Sequence, residues 1–444
     1  MTAPQDTASD SGSRRGVDPV DELLAWLADN WDPDLELGEW WNRLGTDGWS
    51  APGLPPNAYG RGLSRSDTVR VEEAIRAYGA LGAPGGLGLL LAAPTIATFG
   101  TQAQIDRFVK PIVTGQQGWC QLFSEPGAGS DLAGLQTKAE RDGDEWIING
   151  QKVWTSNGHL ADMAMLIART DPDVPKHSGI SYFAYNMHQP GRIEVRPLKE
   201  MTGHALFNEV FLTDARVNND SLISDLNNGW AVANATLGFE RAGLGSGGGH
   251  AATSLAIPGT VGGDLAKRAG SFLAGGESTT KPLSLLGNAS EALLELARAR
   301  GVLGDPTLRQ DLMVLHTISE IGRFSALRAK GVKAAGRPDI AGLPNISKLS
   351  MSAMARLSRE IGLRILGAQG MLHAYGHEAE AALNAVLGDD MVQQITEMAL
   401  VSPGPSIYGG TDQVQRNIIG ERVLGLPKEA NNDKVMAFRD LPKN

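Results

Sequence analysis

The spacing of apolar positions divides the chain into three stretches. Val20, Leu23, Leu24 and Leu27 recur at helical intervals, and residues 67–82 and 95–114 carry similar stripes, so 17–117 reads as a helical domain. Pro52, Pro55, Pro56 and several glycines make 49–63 a loop within it. From 118 to 228 the period shortens. Strands are expected over 163–169, 180–185, 193–197 and 209–213, and Asn149-Gly150 between 145–148 and 151–156 predicts a hairpin turn. Helical spacing returns from Trp230, with runs near 286–300, 307–334, 346–367 and 411–423, so 229–444 reads as a second helical domain. Residues 243–285, rich in Gly, Ser, Thr and Pro, are expected to be an inserted, mobile loop. Residues 1–16 are polar and lack an apolar core, so a disordered leader is expected rather than a signal peptide or membrane anchor. Strand and helix do not alternate, which argues against a doubly wound sheet; the class is α+β.

Bulk composition narrows the function. A chain of 444 residues with a formal net charge of −10 has no basic footprint for nucleic acid and is poorly suited to an anionic membrane. The lone Cys120 rules out an intrachain disulfide and a cysteine-rich metal site, which fits a cytoplasmic location.

The chemistry concentrates at 121–158. Gly127 and Gly129 lie in a polar loop, where bare backbone N–H groups approach a ligand closely. Trp154 ends the following strand and offers a flat apolar face. Loop and indole together suit a planar cofactor with a polar tail, a flavin. The run Gly127-Ala128-Gly129-Ser130-Asp131-Leu132 departs from a dinucleotide fingerprint at its last position, and strands follow it instead of a helix. An ordinary surface turn is its plain alternative.

Elsewhere, Trp230, Ala233, Leu237, Glu240 and Leu244 share one face of a helix. An acid on an apolar stripe is either paired with a cation or functional. His373 and His377 have metal-like spacing, but Gly376 intervenes and no third ligand is evident, so solvated imidazoles and no metal are expected. Trp26, Trp31, Trp40, Trp41 and Trp49 read as core or subunit packing.

Several motifs in order bring a family with them. The block 124–131, the stretch Trp154-Thr155-Ser156-Asn157, Ala168-Arg169-Thr170-Asp171, residues 364–370 and Gly409-Gly410-Thr411-Asp412-Gln413-Val414-Gln415-Arg416 resemble the acyl-CoA dehydrogenases. The likeness spans most of 20–428 and implies an N-terminal helical domain, a middle β-barrel domain and a C-terminal helical bundle. It implies FAD held by Leu122, Phe123, Ser124, Gly129, Ser130, Trp154, Thr155 and Ser156, with Gly367, Gly370, Thr411 and Gln413 toward the ADP half. Arg364 stands where a glutamine is common; it either pairs with the pyrophosphate or is a surface arginine. The cross-subunit Arg-x-x-Phe-Gly segment of many members has no clean counterpart in 298–304. Ser130, Arg241, Gly409 and Gly410 fall on the acyl-CoA side.

The base departs from the common pattern. Many members carry a glutamate where this chain has Gly409. Phe239-Glu240-Arg241 resembles the alternative base site of the isovaleryl and long-chain branches, which makes Glu240 the expected α-proton base. Gly409 N–H would then polarise the thioester carbonyl. The branches sharing this arrangement handle branched, long or bulky acyl groups, steroid side chains among them, in fatty acid or sterol catabolism. An electron-transfer flavoprotein is the implied acceptor, and a homodimer or homotetramer the implied assembly, with a heteromer open. The rival readings are a half-catalytic or non-catalytic subunit of a heteromeric dehydrogenase and a flavin oxidase or monooxygenase on the same fold.

Overall fold

The computed structural model describes residues 17–245, 256–273, 289–338 and 340–442, with the side chains of 241–245 outside that description. The expected leader at 1–16 and most of the segment 243–285 lie outside the described residues. The order is helical, then β, then helical, as the periodicity predicts.

The first helices, α1 (Pro19–Asn30), α2 (Leu37–Thr46) and α3 (Arg65–Tyr78), surround the tryptophans. Asp18 caps α1 by accepting from Val20 N at 2.9 Å, and Pro19 follows at a position that needs no N–H donor. Trp40 and Trp41 are fully buried, and their indole N–H groups donate to the carbonyls of Leu81 at 2.9 Å and Gly82 at 3.0 Å. They are core residues. The stripe over 95–114 is not one helix. It comprises α4 (Ala93–Phe99), a break at Gly100, then α5 (Gln102–Gln104), a π-helical turn (Ile105–Val109) and α6 (Lys110–Val113). Another π turn, Gly88–Ala92, precedes α4.

The middle region is a curled seven-stranded sheet of β1 (Trp119–Leu122), β2 (Lys138–Asp142), β3 (Glu145–Ser156), β4 (Met163–Arg169), β5 (Ile180–Asn186), β6 (Ile193–Leu198) and β7 (Phe207–Asn218). The path runs β1-β4-β2-β3-β7-β6, with β5 added on β4. β4 is buried at every position, which is why it reads as an apolar run from Met163 to Ala168 before the buried Arg169.

The hairpin expected at Asn149-Gly150 is not there. β3 runs straight through, with a register shift against β7 between Ile148 and Gly150. Asn149 and Asp214 exchange hydrogen bonds across that bulge at 3.1 and 2.9 Å. Gly150 is needed for closeness: a Cβ there would lie 2.3 Å from Thr137 Oγ1. The real turn is Gly143-Asp144, between β2 and β3, with Gly143 at φ 63°.

Helix α7 (Gly229–Gly245) opens the third region and packs on β5, α4 and the 88–92 turn. Thr236 on it meets Thr95 Oγ1 at 3.0 Å, so one buried hydroxyl pair joins the third region to the first. The bundle then follows: α8 (Ala289–Ala299), α9 (Pro306–Ala334), α10 (Leu343–Leu366), α11 (His377–Leu387), α12 (Met391–Val401) and α13 (Asp412–Ile418). Its core joins Leu293 and Leu296 of α8, Leu308 and Leu312 of α9, Ile361 and Ile365 of α10, and Val392 and Ile395 of α12.

The described part of the expected loose insertion, 256–273, is instead a strap fixed to the N-terminal domain. Leu37 N donates to Lys267 O at 2.8 Å, Gly38 N to Leu265 O at 2.9 Å, Ala269 N to Leu35 O at 2.9 Å and Gly270 N to Pro33 O at 2.8 Å. Asp162 of the sheet accepts from Thr260 N at 3.1 Å, and Ala256 and Ala269 are buried. Glycine-rich composition reported backbone freedom in the unfolded chain, whereas these backbone bonds decide the folded one.

Candidate functional site

The chain leaving β1 meets the last residues of β3. Val153 N donates to Ser124 O at 2.9 Å, which brings Leu122, Phe123 and Ser124 together with Trp154, Thr155 and Ser156. A second register shift, between Lys152 and Thr155, pushes Trp154 out of the ladder. Trp154 takes φ 62°, a left-handed conformation costly for a bulky side chain, and its indole is 61% exposed. Phe207 supports it edge-on at 5.8 Å. A large apolar ring held in a strained conformation and turned to solvent offers a flat face that a planar ligand could cover.

The surroundings fit a flavin. Thr155 Oγ1 and Gln121 Nε2, on β3 and β1, are buried without a hydrogen-bond partner among the described residues. Gly127 and Gly129 do not have positive φ, and a Cβ on either would meet nothing within 4 Å. Their own chain gives no reason for glycine, so close approach by a polar ligand tail is a reason that remains. Ser130, beside them, is exposed.

Beneath the shelf lies a buried charge network that periodicity did not reveal. Lys152, fully buried, donates to Phe123 O at 3.0 Å and to Glu125 Oε1 at 2.9 Å. Glu125 also accepts from Gln136 N at 2.6 Å and Thr137 N at 2.9 Å. Burial opposes charge on both groups. In Lys152 it wins and lowers the ammonium, while in Glu125 the lysine and the other donors outweigh it and hold the carboxyl below its usual range. Arg169, lowered to about 10 by burial, donates to Ala133 O and Lys176 O at 2.6 Å each. The available signal was strand parity: the extra residue of the first bulge lies on β7, so β3 keeps its alternation and position 152 faces inward with 146 and 148.

A second group of predicted residues lies in the bundle. Gly367 ends α10 with φ 56° and ψ −128°, a combination open in practice to glycine alone. Gly370 follows it in the 3-10 turn Gly367–Met371. Gly409 and Gly410 take φ 63° and 83° just before α13, which Thr411 caps by accepting from Val414 N at 3.2 Å. Gln415, not anticipated, donates to the carbonyls of Gly409 at 3.1 Å and Gly410 at 3.3 Å, and Asn345 holds its Oε1 at 2.7 Å. Gln413 is exposed. Arg364 pairs with Asp311 at 2.8 Å and Asp305 at 3.1 Å, which makes it a surface ion-pair residue within this chain. In the segment without a clean family counterpart, Arg300 bonds Gln369 Oε1 at 2.8 Å, beside Gly370.

The expectation of solvated imidazoles fails for His373. It lies 3.2 Å from Thr396 Oγ1 and 3.1 Å from Thr202 O, fastening the bundle to the loop that leads into β7. No group of three metal-ligating side chains occurs among the described residues. Nor is any described helix long and apolar enough to cross a membrane.

Glu240 lies on α7 and is half-buried. Ala233 is fully buried, and Trp230, Leu237 and Phe239 pack against the core shared by the first two regions, so the acid continues an apolar face. The side chains of Arg241 and Leu244 are outside the described residues.

Comparison with known proteins gives a consistent picture. The N-terminal, middle and C-terminal domain models of acyl-CoA dehydrogenases match residues 18–116, 120–215 and 280–424. Acyl-CoA dehydrogenase IpdE1 of Mycobacterium tuberculosis (strain ATCC 25618 / H37Rv) is 35% identical over 426 residues, covering 92% of this chain and 97% of that protein. The solved Tcur3481-Tcur3483 steroid ACAD superposes with a TM-score of 0.66 at 25% identity, over 92% of this chain and 97% of its own. The ChsE4-ChsE5 complex from Mycobacterium tuberculosis shares the fold with a TM-score of 0.62 at 24% identity, over 94% of this chain and 100% of its own.

Proposed function

Because the chain belongs to the acyl-CoA dehydrogenase family, we propose that it oxidises the Cα–Cβ bond of a bulky acyl-CoA thioester to the trans-2-enoyl thioester. Members of this family are FAD-dependent oxidoreductases acting on CH–CH bonds. The Trp154 shelf would hold FAD, which when bound would supply the acceptor for the hydride from the β carbon.

The chain's own residues supply the rest. Glu240 takes the α-proton; its place on the apolar face of α7, next to the core shared by the first two regions, supports this role. The Gly409 N–H donates to the thioester oxygen and stabilises the charge that develops there as the α-proton leaves. Gln415, by gripping the carbonyls of Gly409 and Gly410, keeps that turn in one conformation. Thr155 Oγ1, buried without a partner among the described residues, is a hydrogen-bonding group for the ring. Lys152 and Glu125 hold the ends of β1 and β3 together beneath it. Gly409 leaves room beside the acyl group, which favours a wide substrate. The steroid relative supports the same class.

The observation that carries the proposal is Trp154: a left-handed, exposed indole next in sequence to Thr155, whose buried hydroxyl has no partner among the described residues. The decisive test is Glu240→Gln, with FAD retained and turnover followed with an artificial acceptor. Activity should fall by about a hundredfold or more. Turnover within a few-fold of wild type would remove Glu240 as the base.

The two-part name of the steroid relative favours a second reading, in which this chain is one of two unlike subunits. Purified alone, a yellow and active homo-oligomer would eliminate it. The screen for the acyl group runs from short branched thioesters to steroid side chains, read by flavin bleaching. An electron-transfer flavoprotein is the proposed acceptor, and the cytoplasm the proposed location.

A further inference from the structure

The family's C-terminal model ends at residue 424, yet the chain beyond it folds back onto the middle sheet. Phe438 N donates to Val174 O at 2.9 Å and Arg439 N to Pro172 O at 3.0 Å, and Arg439 also pairs with Asp173. The tail therefore rides on the 170–178 turn. Two of its side chains reach further.

Phe438 is 7% exposed and covers the guanidinium of Arg169, whose carbon lies 3.6 Å from the ring centre. That guanidinium is the tie between two loops, bonding Ala133 O on one side and Lys176 O on the other. Asp433 meets Lys176 Nζ at 2.7 Å, and the same ammonium holds Asp131 at 2.9 Å. Asp131 closes the glycine loop. Lys176, 8% exposed at its side chain, thus stands between a tail acid and a loop acid. Burial works against its charge, but the bonds to Asp433 and Asp131 outweigh it and raise the ammonium above its ordinary value.

We propose that residues 433–438 form a latch that positions the 127–131 loop, with Lys176 and Arg169 as the positioning residues. Neither touches a reacting atom. The tail removes water from Arg169 and supplies the second carboxylate that keeps Lys176 fixed, so the C-terminal end of the loop is held twice, at Asp131 and just beyond it at Ala133. Its consequence for cofactor binding rests on the proposed reading of that loop as flavin- and thioester-facing: with the latch open, the backbone donors of Gly127 to Ser130 lose their preset arrangement and FAD binds more weakly.

The test compares wild type with Lys176→Met, Phe438→Ala and Lys176→Arg as full-length holoproteins. Hydrogen exchange of amides 127–136 should accelerate about tenfold in the first two variants, while α1 and α3 keep wild-type protection. Lys176→Arg keeps the charge and should restore most of the protection. The FAD dissociation constant, titrated on the apoproteins by flavin fluorescence, should rise about tenfold in parallel. Unchanged loop exchange in both disruptive variants overturns the latch. So does a uniform acceleration across the middle sheet, because Phe438 would then be ordinary core. A wild type that does not take up FAD, with loop exchange still accelerated in the variants, supports the latch and overturns the flavin reading of the loop.

Discussion

Replacing Lys152 by Met tests whether the shelf depends on its buried ion pair. Lys152 is fully buried and its partner's side chain is 6% exposed, so neither charge is relieved by solvent. The variant keeps the length of the aliphatic stem and removes the ammonium. Glu125 would keep Gln136 N and Thr137 N but lose its ammonium partner, and the Phe123 carbonyl would lose its lysine donor. Removing one member of a buried pair costs about 3–5 kcal/mol. The two remaining backbone donors place this case near the lower end, and the stranded carbonyl adds roughly 1 kcal/mol. We expect a loss of about 3–4 kcal/mol, a large share of a typical ~5–15 kcal/mol total. Chemical unfolding at fixed FAD concentration measures it, since bound cofactor adds to apparent stability. Lys152→Met combined with Glu125→Gln should lose less than the sum of the two single variants, because the two groups share one interaction. A Lys152→Met variant within about 1 kcal/mol of wild type, or a double variant that loses the full sum of the singles, would refute the reasoning.

Two other outcomes follow from particular conformations. Trp154→Gly should weaken FAD binding while leaving the apoprotein's unfolding midpoint unchanged or slightly higher, since glycine accepts φ 62° without strain of about 1 kcal/mol; a clear drop in the apo midpoint would make the indole a structural residue. Asp305 caps α9, and its carboxyl is held at about 2, chiefly by the Thr307 hydroxyl and then by Leu308 N–H. A depressed carboxyl stabilises the fold above its ordinary value near 3.8 and loses that contribution as pH falls toward about 2. The difference in thermal midpoint between wild type and Asp305→Asn should therefore shrink over that interval.

Local pattern made some of this molecule legible. β4 and β5 read correctly because both are apolar almost throughout, and α9 because its apolar stripe follows a Pro306 start. The cofactor side of the site was legible because its residues are close in sequence and motif-like. Asn149-Gly150 misled because glycine there answers to Thr137 across the sheet, a long-range demand that looks like a turn. The Glu125–Lys152–Arg169 network and the tail latch share that limit. Each joins positions far apart in sequence, and a buried lysine looks like any other lysine until the strand's facing is known.

The strap at 256–273 also imposes an order on biosynthesis. Residues 33–38 gain partners that lie more than two hundred positions downstream, at 265–270. A chain emerging at ~5–20 residues per second must wait on the order of tens of seconds for them. Until then the N-terminal helices expose the edge later closed by Ala256, Leu265 and Ala269. The N-terminal helical domain is thus completed only after the middle sheet that follows it in sequence, and a chaperone holding that edge during elongation would protect it over that interval.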